Sequence, residues 1–441
     1  MAENEYFRRK IDSDLLAWAR ESSRKPLLLR GARQVGKSTA VRNLGKTFES
    51  YIEVNFEDDK AVHVFFEKFN APQEICEQLS LFYKKEISAG RTLVFFDEIQ
   101  SCPAAFAKIR YFYEKYSALH VIAAGSLLEF AIEEMASFAV GRIRSIFLYP
   151  FSFEEFILAL NEDMLHEAYR QAHPQNPLSQ PIHQELIKLL KIFLVIGGMP
   201  EAVAKYVETK SFLMSQMTID DLITTYKSDF VKYKKRVPSA HIENVFASVV
   251  SQTGGKFMYE KVAQLNNVQV KQSLDLLIMA GLVIPVIHSS ANGIPLGAEA
   301  NYKRRNMLIV DTGIFLRMLD FDSSHIMIAD DFKTINMGAL AEMFVGLELL
   351  KTASCYTQKN LYFWNREKKQ SSAQVDYVIQ KNNRIVPIEV KSGLKGSMQS
   401  LRLFMQEKNS EYGIRTSLEN FGAIDNIDIF PLYAISNCLE R

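Results

Sequence analysis

Nine consecutive residues, Gly31-Ala32-Arg33-Gln34-Val35-Gly36-Lys37-Ser38-Thr39, set two glycines, a lysine and two hydroxyls in the order G-x-x-x-x-G-K-[ST]. Gly31 and Gly36 lack Cβ, so the backbone there can take φ > 0 and converge several N–H groups on one anion. Lys37 would reach the β- and γ-phosphates of a nucleoside triphosphate, and the Ser38 hydroxyl would ligate Mg²⁺. Further on, the apolar run Thr92 to Phe96 ends in Asp97 and Glu98. Asp97 would hold the Mg²⁺ through its water shell, and Glu98 would orient and deprotonate an attacking water. Ser126 follows a third apolar run, His120 to Ala124, where a polar side chain can touch the γ-phosphate or the water. Serine is equally an ordinary strand-end residue. Arg142 could serve as an arginine finger, within its own chain or on a neighbouring copy, which leaves a homo-oligomer open; a surface arginine or salt-bridge partner is the alternative.

A second constellation lies near the C-terminus. Ala373 to Gln380 and Ile385 to Lys391 read as strands flanking Lys381-Asn382-Asn383-Arg384. Asparagine tolerates φ > 0, so Asn382-Asn383 can make a two-residue primed turn. In that register Lys381 faces Arg384, and Asp376 therefore faces Glu389, with Cβ atoms about 5 Å apart. Glu389 and Lys391 share that face. Opposed carboxylates destabilise a hairpin unless a cation lies between them or one is protonated. A divalent metal on Asp376 and Glu389 would activate water, and Lys391 would neutralise a phosphate. A structural ion cluster is the alternative.

The elements that must position these groups follow from periodicity. Leu27 to Leu29 reads as a buried strand before the glycine loop, and the helix of Thr39 to Leu44 follows the loop; its N-terminus adds about half a positive charge. Tyr51 to Phe56 and Ile143 to Tyr149 are further strands, and helices are expected over 5–20 and 72–88. Strands alternating with helices argue a doubly wound parallel sheet, with ligands at the carboxyl ends of its strands. From Phe151 to about Tyr226 the periodicity is helical and is broken sharply at Gly197-Gly198-Met199-Pro200. Residues 240–310 suggest a winged helix, with helices near 241–251, 258–265 and 268–280 before strands at 282–288 and 302–310. Its third helix exposes Asn267, Gln269, Lys271 and Gln272, which suit contact with DNA bases or phosphates, or with a protein partner. Lys232, Lys234, Lys235 and Arg236 form a basic run, as do Arg366, Lys368 and Lys369. Either could meet a phosphate backbone or simply face water. Asn336 can cap a helix to about Leu350 that carries Glu342.

The motifs G-A-R-Q-V-G-K-S-T, F-F-D-E-I-Q, A-A-G-S and G-R, followed by Pro150-Phe151-Ser152-Phe153-x-Glu155-Phe156, resemble the AAA-type ATPases of bacteria and archaea whose P-loop module precedes a C-terminal domain of unknown function. That resemblance implies an additional-strand P-loop sheet and ATP as the nucleotide. The series Glu342 … Asp376 … Glu389-x-Lys391 resembles the PD-(D/E)XK restriction-endonuclease-like fold, although Val375 stands where that pattern has proline. It implies a second Mg²⁺ or Mn²⁺ held by Glu342, Asp376 and Glu389.

Four regions are therefore expected: a P-loop ATPase core over 1–150, a helical lid over 151–230, a winged-helix-like domain over 231–325 and a nuclease-like α/β domain over 326–441. The 441-residue length requires several cores. A net charge of +1 gives no global field for nucleic acid, so any basic surface must be local. Four scattered cysteines without C-x-x-C pairs, a charged start with no apolar leader and no span long enough for a bilayer read as a cytoplasmic protein with no membrane contact. Two functions are open: an ATPase that moves a DNA-binding, metal-dependent nuclease half, or a nucleotide-dependent switch whose nuclease-like fold binds without cutting. A P-loop kinase is disfavoured by Glu98, which suits water activation.

Overall fold

A computed structural model describes residues 6–126, 128–134, 141–231, 237–321, 337–366, 373–393 and 396–439. The chain divides into two units, Met1–Tyr149 with Ser354–Gln358, and Pro150–Ala353 with Lys359–Arg441. Lys232, Lys234, Lys235, Arg236, Asn336, Lys368 and Lys369 lie outside the described residues.

The first unit is a sheet of β1 (Leu27–Arg30), β2 (Ser50–Asn55), β3 (Thr92–Asp97), β4 (His120–Ala124) and β5 (Arg144–Phe147) in the order β2-β3-β4-β1-β5. Every pairing is parallel, and β4 is the additional strand between β1 and β3. All residues of β3 and β4 are buried, because helices cover both faces of such a sheet; hence their uninterrupted apolar sequences. Phe56, Phe66, Phe96 and Phe112 contact one another with ring centroids 5.3–5.8 Å apart. Each such pair contributes roughly 0.5–1.5 kcal/mol beyond area burial. They anchor the end of β3 that carries Asp97. Along the outer edge of β5, the Phe147 N–H donates to the Cys355 carbonyl over 2.8 Å, so Ser354–Gln358 covers an otherwise open strand edge.

The second unit opens with helices Phe153–Ala159, Asp163–Gln171, Gln180–Ile196, Pro200–Thr209 and Phe212–Phe230. Ser152 and Glu155 form a capping box at the first of them, satisfying two helix-end donors reciprocally. The break at Gly197-Gly198 is held by Asp311, whose Oδ2 accepts the Gly198 N–H over 2.6 Å while Oδ1 caps helix Thr312–Met318 through Ile314 N–H. Gly197 has φ +71°, and a Cβ there would sit 2.1 Å from Asp311 Oδ1.

Beyond these helices lies one mixed eight-stranded sheet. Its strands are β6 (Val283–Ser289), β7 (Ala300–Ile309), β8 (Leu361–Asn365), β9 (Gln374–Lys381), β10 (Arg384–Val390), β11 (Gly413–Ser417), β12 (Gly422–Ile424) and β13 (Ile427–Pro431). Their order is β12-β13-β11-β10-β9-β8-β6-β7. The two strands expected in a winged helix therefore belong to this larger sheet, because β6 pairs in parallel with β8. The expected helix over 258–265 is reduced to a 3₁₀ turn, Tyr259–Lys261. Just before it the chain runs extended: the Phe257 N–H donates to the Arg305 carbonyl and Lys256 bridges to Asn306. Helices Ser239–Gln252 and Asn267–Met279 are present. On the latter, Asn267, Lys271 and Gln272 are exposed. Gln269 Oε1 accepts the Asn266 N–H in a capping box, so that side chain serves the helix start rather than an outside partner.

Candidate functional site

At the carboxyl end of β1 the chain turns through Gly31 (φ +141°), Gln34 (φ +62°) and Gly36 (φ +94°) into helix Lys37–Gly45. A Cβ on Gly31 would lie 2.1 Å from the Leu148 carbonyl oxygen, so only glycine fits there. The Lys37 ammonium is buried and donates to the carbonyls of Gly31 and Ala32 over 2.9 and 2.8 Å. Burial lowers its pKa from 10.5 to about 8, against the pull of Glu98 and Asp97. Ser38 Oγ donates to Asp97 Oδ2 over 2.8 Å. Oxygen donors from loop and strand thus meet at one point, the hard-ligand set that Mg²⁺ prefers. Burial raises the Asp97 pKa, and the Ser38 bond counters it.

Glu98 follows in the left-handed region at φ +48°, a conformation that is uncommon and strained for a residue with a side chain. Its Oε2 accepts from Ser126 N–H and Ser126 Oγ, each at 3.0 Å. The structure therefore brings Lys37, Ser38, Asp97, Glu98 and Ser126 to one end of the sheet. Arg142 is elsewhere. It precedes β5, whose Arg144 is in register with Leu27 at the start of β1, so Arg142 lies at the amino end of the sheet. There it forms an ion pair with Glu114. An arginine-finger role within its own chain does not fit this geometry.

In the second unit, β9 and β10 pair with Lys381 opposite Arg384 and Tyr377 opposite Ile388. Asn382 and Asn383 take φ +47° and +60°, the primed turn. Asp376 and Glu389 come next in that register. Against β8 the register of β9 shifts between Tyr362/Val378 and Trp364/Val375, which places Asp376 and Tyr377 in a bulge. Bulges re-aim side chains; Asp376 Oδ2 here accepts the Val390 N–H over 2.8 Å. Glu389 Oε1 accepts from Lys391 Nζ over 2.5 Å, whereas Glu389 Oε2 is buried with no hydrogen-bond partner. Burial raises the pKa of Glu342, Asp376 and Glu389; Asp376 reaches about 7, with Glu389 adding to its shift. The orphaned oxygen and reluctant ionisation suit an oxygen-ligated divalent cation. Among the described residues, however, no three such side chains stand close enough to hold one. A metal there would require these side chains to rearrange.

A family model described as an AAA domain matches residues 23–157, which takes in β1 to β5 and the whole glycine loop. Two further models, each described as a domain of unknown function (DUF8612 and DUF4143), match residues 187–325 and 337–435. No curated protein matches the chain. Among solved structures, the ORC1 protein of Aeropyrum pernix in complex with DNA is 15% identical over 72% of this chain and 93% of that one, with a TM-score of 0.27. Drosophila ORC bound to DNA is 13% identical over 70% and 84%, with a TM-score of 0.24. Unliganded Pif1 from Bacteroides sp is 15% identical over 38% and 53%, with a TM-score of 0.22. Similarity at that level carries no conclusion about fold or partner. Among the described residues no helix is long and apolar enough to cross a membrane.

Three residues around the glycine loop escaped the sequence reading. Gln100 Nε2 donates to Glu98 Oε2 over 2.6 Å; its position two residues after Glu98 was the available signal. Arg9 is buried and its guanidinium donates to the carbonyls of Val35 and Tyr149 at 3.2 and 2.8 Å. Arg30 is paired with Glu129 and lies 4.7 Å from the Phe147 ring centroid. Neither arginine has a local sequence signature, because its partners are distant in the chain.

Proposed function

We propose that the chain is an Mg²⁺-dependent ATPase whose nucleotide cycle drives a DNA-binding, nuclease-like C-terminal half. The observation that carries the first part is the 2.8 Å bond from Ser38 to Asp97 with Glu98 next in the chain. The N–H groups of Gly31–Thr39 and the helix end behind them bind phosphate oxygens, and Lys37 exchanges its loop carbonyls for the β- and γ-oxygens. Ser38 and Asp97 would hold the Mg²⁺, which supplies charge neutralisation on those oxygens. Glu98 accepts a proton from the attacking water as its oxygen bonds to the γ-phosphorus; the bridging P–O bond breaks and ADP departs. Ser126 and Gln100 orient Glu98. Arg142 would act only on a neighbouring copy. Phosphate release by the full chain, compared with Lys37→Ala and Glu98→Gln, tests this reading: no turnover by the wild type, or equal turnover by all three, overturns it.

In the C-terminal half, Asp376 and Glu389, with Glu342, would hold Mg²⁺ or Mn²⁺, and Lys391 would neutralise the phosphate under attack. The orphaned Glu389 oxygen supports this, and exposed Lys271, Gln272 and Asn267 support DNA as partner. Plasmid nicking that Glu389→Ala abolishes is the expected result. The second reading, binding without cutting, draws on the bond already made between Lys391 and Glu389. It predicts that Lys37→Ala removes partner binding while Asp376→Ala and Glu389→Ala leave it intact.

A further inference from the structure

Strand β7 is the outermost strand of the eight-stranded sheet, and its pairing with β6 is interrupted. Arg305 lies opposite Ile287, but the next partner, His288, faces Asn301. Tyr302, Lys303 and Arg304 thus loop out of the ladder as a bulge. The Asn301 side chain holds the turn by accepting the Lys303 N–H over 3.1 Å. Bulges at sheet edges turn chosen side chains outward. Here the ring of Tyr302 is 58% exposed, and among the described residues it makes no ring contact and its hydroxyl no hydrogen bond.

The surroundings are cationic. Lys256 bridges to Asn306 beside the bulge, and Lys261 ends the adjoining 3₁₀ turn. Segments 256–261 and 301–306 together carry Lys256, Lys261, Lys303, Arg304 and Arg305 against one carboxylate, Glu260. Among the described residues no carboxylate pairs with Lys256, Lys261 or Lys303. Such a concentration stands out in a chain whose net charge is +1. Cations on an edge strand also discourage sheet-to-sheet aggregation, and a lysine alone would serve for that. A solvent-facing tyrosine works against that purpose. An aromatic ring beside lysines that no carboxylate pairs is instead the pattern that single-stranded nucleic acid meets, where bases stack on the ring and phosphates follow the charges. Duplex bases keep their faces covered and would leave the ring unused.

We infer that the Tyr302-Lys303-Arg304 bulge is a docking surface for single-stranded nucleic acid, with a base stacked on Tyr302 and the backbone running past Lys303 and Lys256. The inference rests on the nucleic-acid part of the function proposed above and narrows it to an unpaired strand. Fluorescence anisotropy of the full chain with a fluorescein-labelled oligothymidine tests it, alongside a labelled duplex. Tyr302→Ala should weaken the oligothymidine roughly 5- to 150-fold, the loss of one stacked base, and Tyr302→Phe, which keeps the ring, should bind like the wild type. Lys303→Ala should flatten the slope of log K against log salt by about 0.7, one phosphate contact on a single strand. Oligothymidine ignored by the wild type, or bound equally by Tyr302→Ala and Lys303→Ala, overturns the inference. Duplex binding that survives in that case, and responds to Lys271→Ala, leaves the DNA reading standing without it. Tyr302-dependent capture of oligothymidine with no duplex binding would do the reverse.

Discussion

The Gln100 side-chain amide donates to Glu98 Oε2 over 2.6 Å, the same oxygen that takes both donors of Ser126. Three donors on one oxygen leave Oε1 as the face of the carboxylate available to a water. The fit is close: a Cβ on Gly125 would lie 1.8 Å from Gln100 Oε1. Glu98 is thereby held in its left-handed conformation from two sides.

If Glu98 activates the water as proposed, removing the Gln100 donor should leave nucleotide binding alone and disturb Glu98. For Gln100→Ala we expect kcat for ATP to fall about 10- to 100-fold, the scale of an ångström-level misplacement, with KM within about twofold of wild type. Glu98→Gln should lose about 10²- to 10⁴-fold and retain ATP through gel filtration. A Gln100→Ala enzyme that changes KM and kcat together would show that the amide merely supports the loop.

Lys37 gives the proposed ATP site a pH dependence of definite sign. Its folded-state pKa of about 8 lies below the ordinary 10.5, so the ammonium is charged at neutral pH and discharges as pH rises through 8. Phosphate needs the charged form. Affinity for Mg-ATP should be level below about pH 7.5 and fall above pH 8 by at most about tenfold per pH unit, with one proton taken up on binding. Calorimetry at pH 8.5 in two buffers of different ionisation enthalpy reads that proton directly. Identical heats in both would contradict the assignment.

The legible parts of the sequence were those whose chemistry is contiguous. The glycine loop, the acidic end of β3 and the Asn382-Asn383 turn each set geometry within a few residues, and the turn alone fixed the β9–β10 register. The position of Arg142 could have been read but was not: a residue just before a strand of a parallel sheet lies at the end away from the glycine loop. The stretch 258–265 was not legible, since its apolar spacing imitates a helix where the chain forms only the 3₁₀ turn Tyr259–Lys261, after Phe257 has bonded to Arg305 in a distant strand. Nor could the bulge at Asp376 be seen, because it is a mismatch between β9 and its neighbour β8 and not a feature of the β9 sequence by itself.

Buried Glu389 and half-buried Asp376 and Glu342 of the second unit should make stability fall with rising pH when no divalent ion is present. Asp376 moves from 3.8 to about 7, and Glu342 and Glu389 shift the same way. Between about pH 4 and 7 the folded chain therefore holds protons that the unfolded chain has released, and stability drops as pH rises through that window. For Asp376 alone the full effect is on the order of 4 kcal/mol at most. The apparent melting temperature should rise from pH 7.5 to 5.5, Asp376→Asn should flatten the trend, and Mn²⁺ should restore stability at pH 7.5. A flat wild-type profile would remove the case for a strained carboxylate pair.

The last prediction concerns Asp311, which lies far in sequence from the Gly197-Gly198 break and yet determines it. Its carboxylate is fully buried, accepts Gly198 N–H at 2.6 Å and caps helix Thr312–Met318. Alanine at this position would leave a buried backbone donor unpaired, which costs about 1–3 kcal/mol, and would remove a helix cap worth about 1 kcal/mol. Asp311→Ala should therefore destabilise the second unit by about 2–4 kcal/mol in urea. Asp311→Asn, which retains one acceptor, should lose less. Gly197→Ala should be at least as harmful as Asp311→Ala, since its Cβ would have to displace that carboxylate from a site with φ +71°. Mg-ATP affinity should be unchanged in all three, because the loop that binds it belongs to the other unit. If Asp311→Ala lost less than about 0.5 kcal/mol, the scale of an ordinary surface substitution, the glycine break would have to be stabilised by its own backbone and not by this carboxylate.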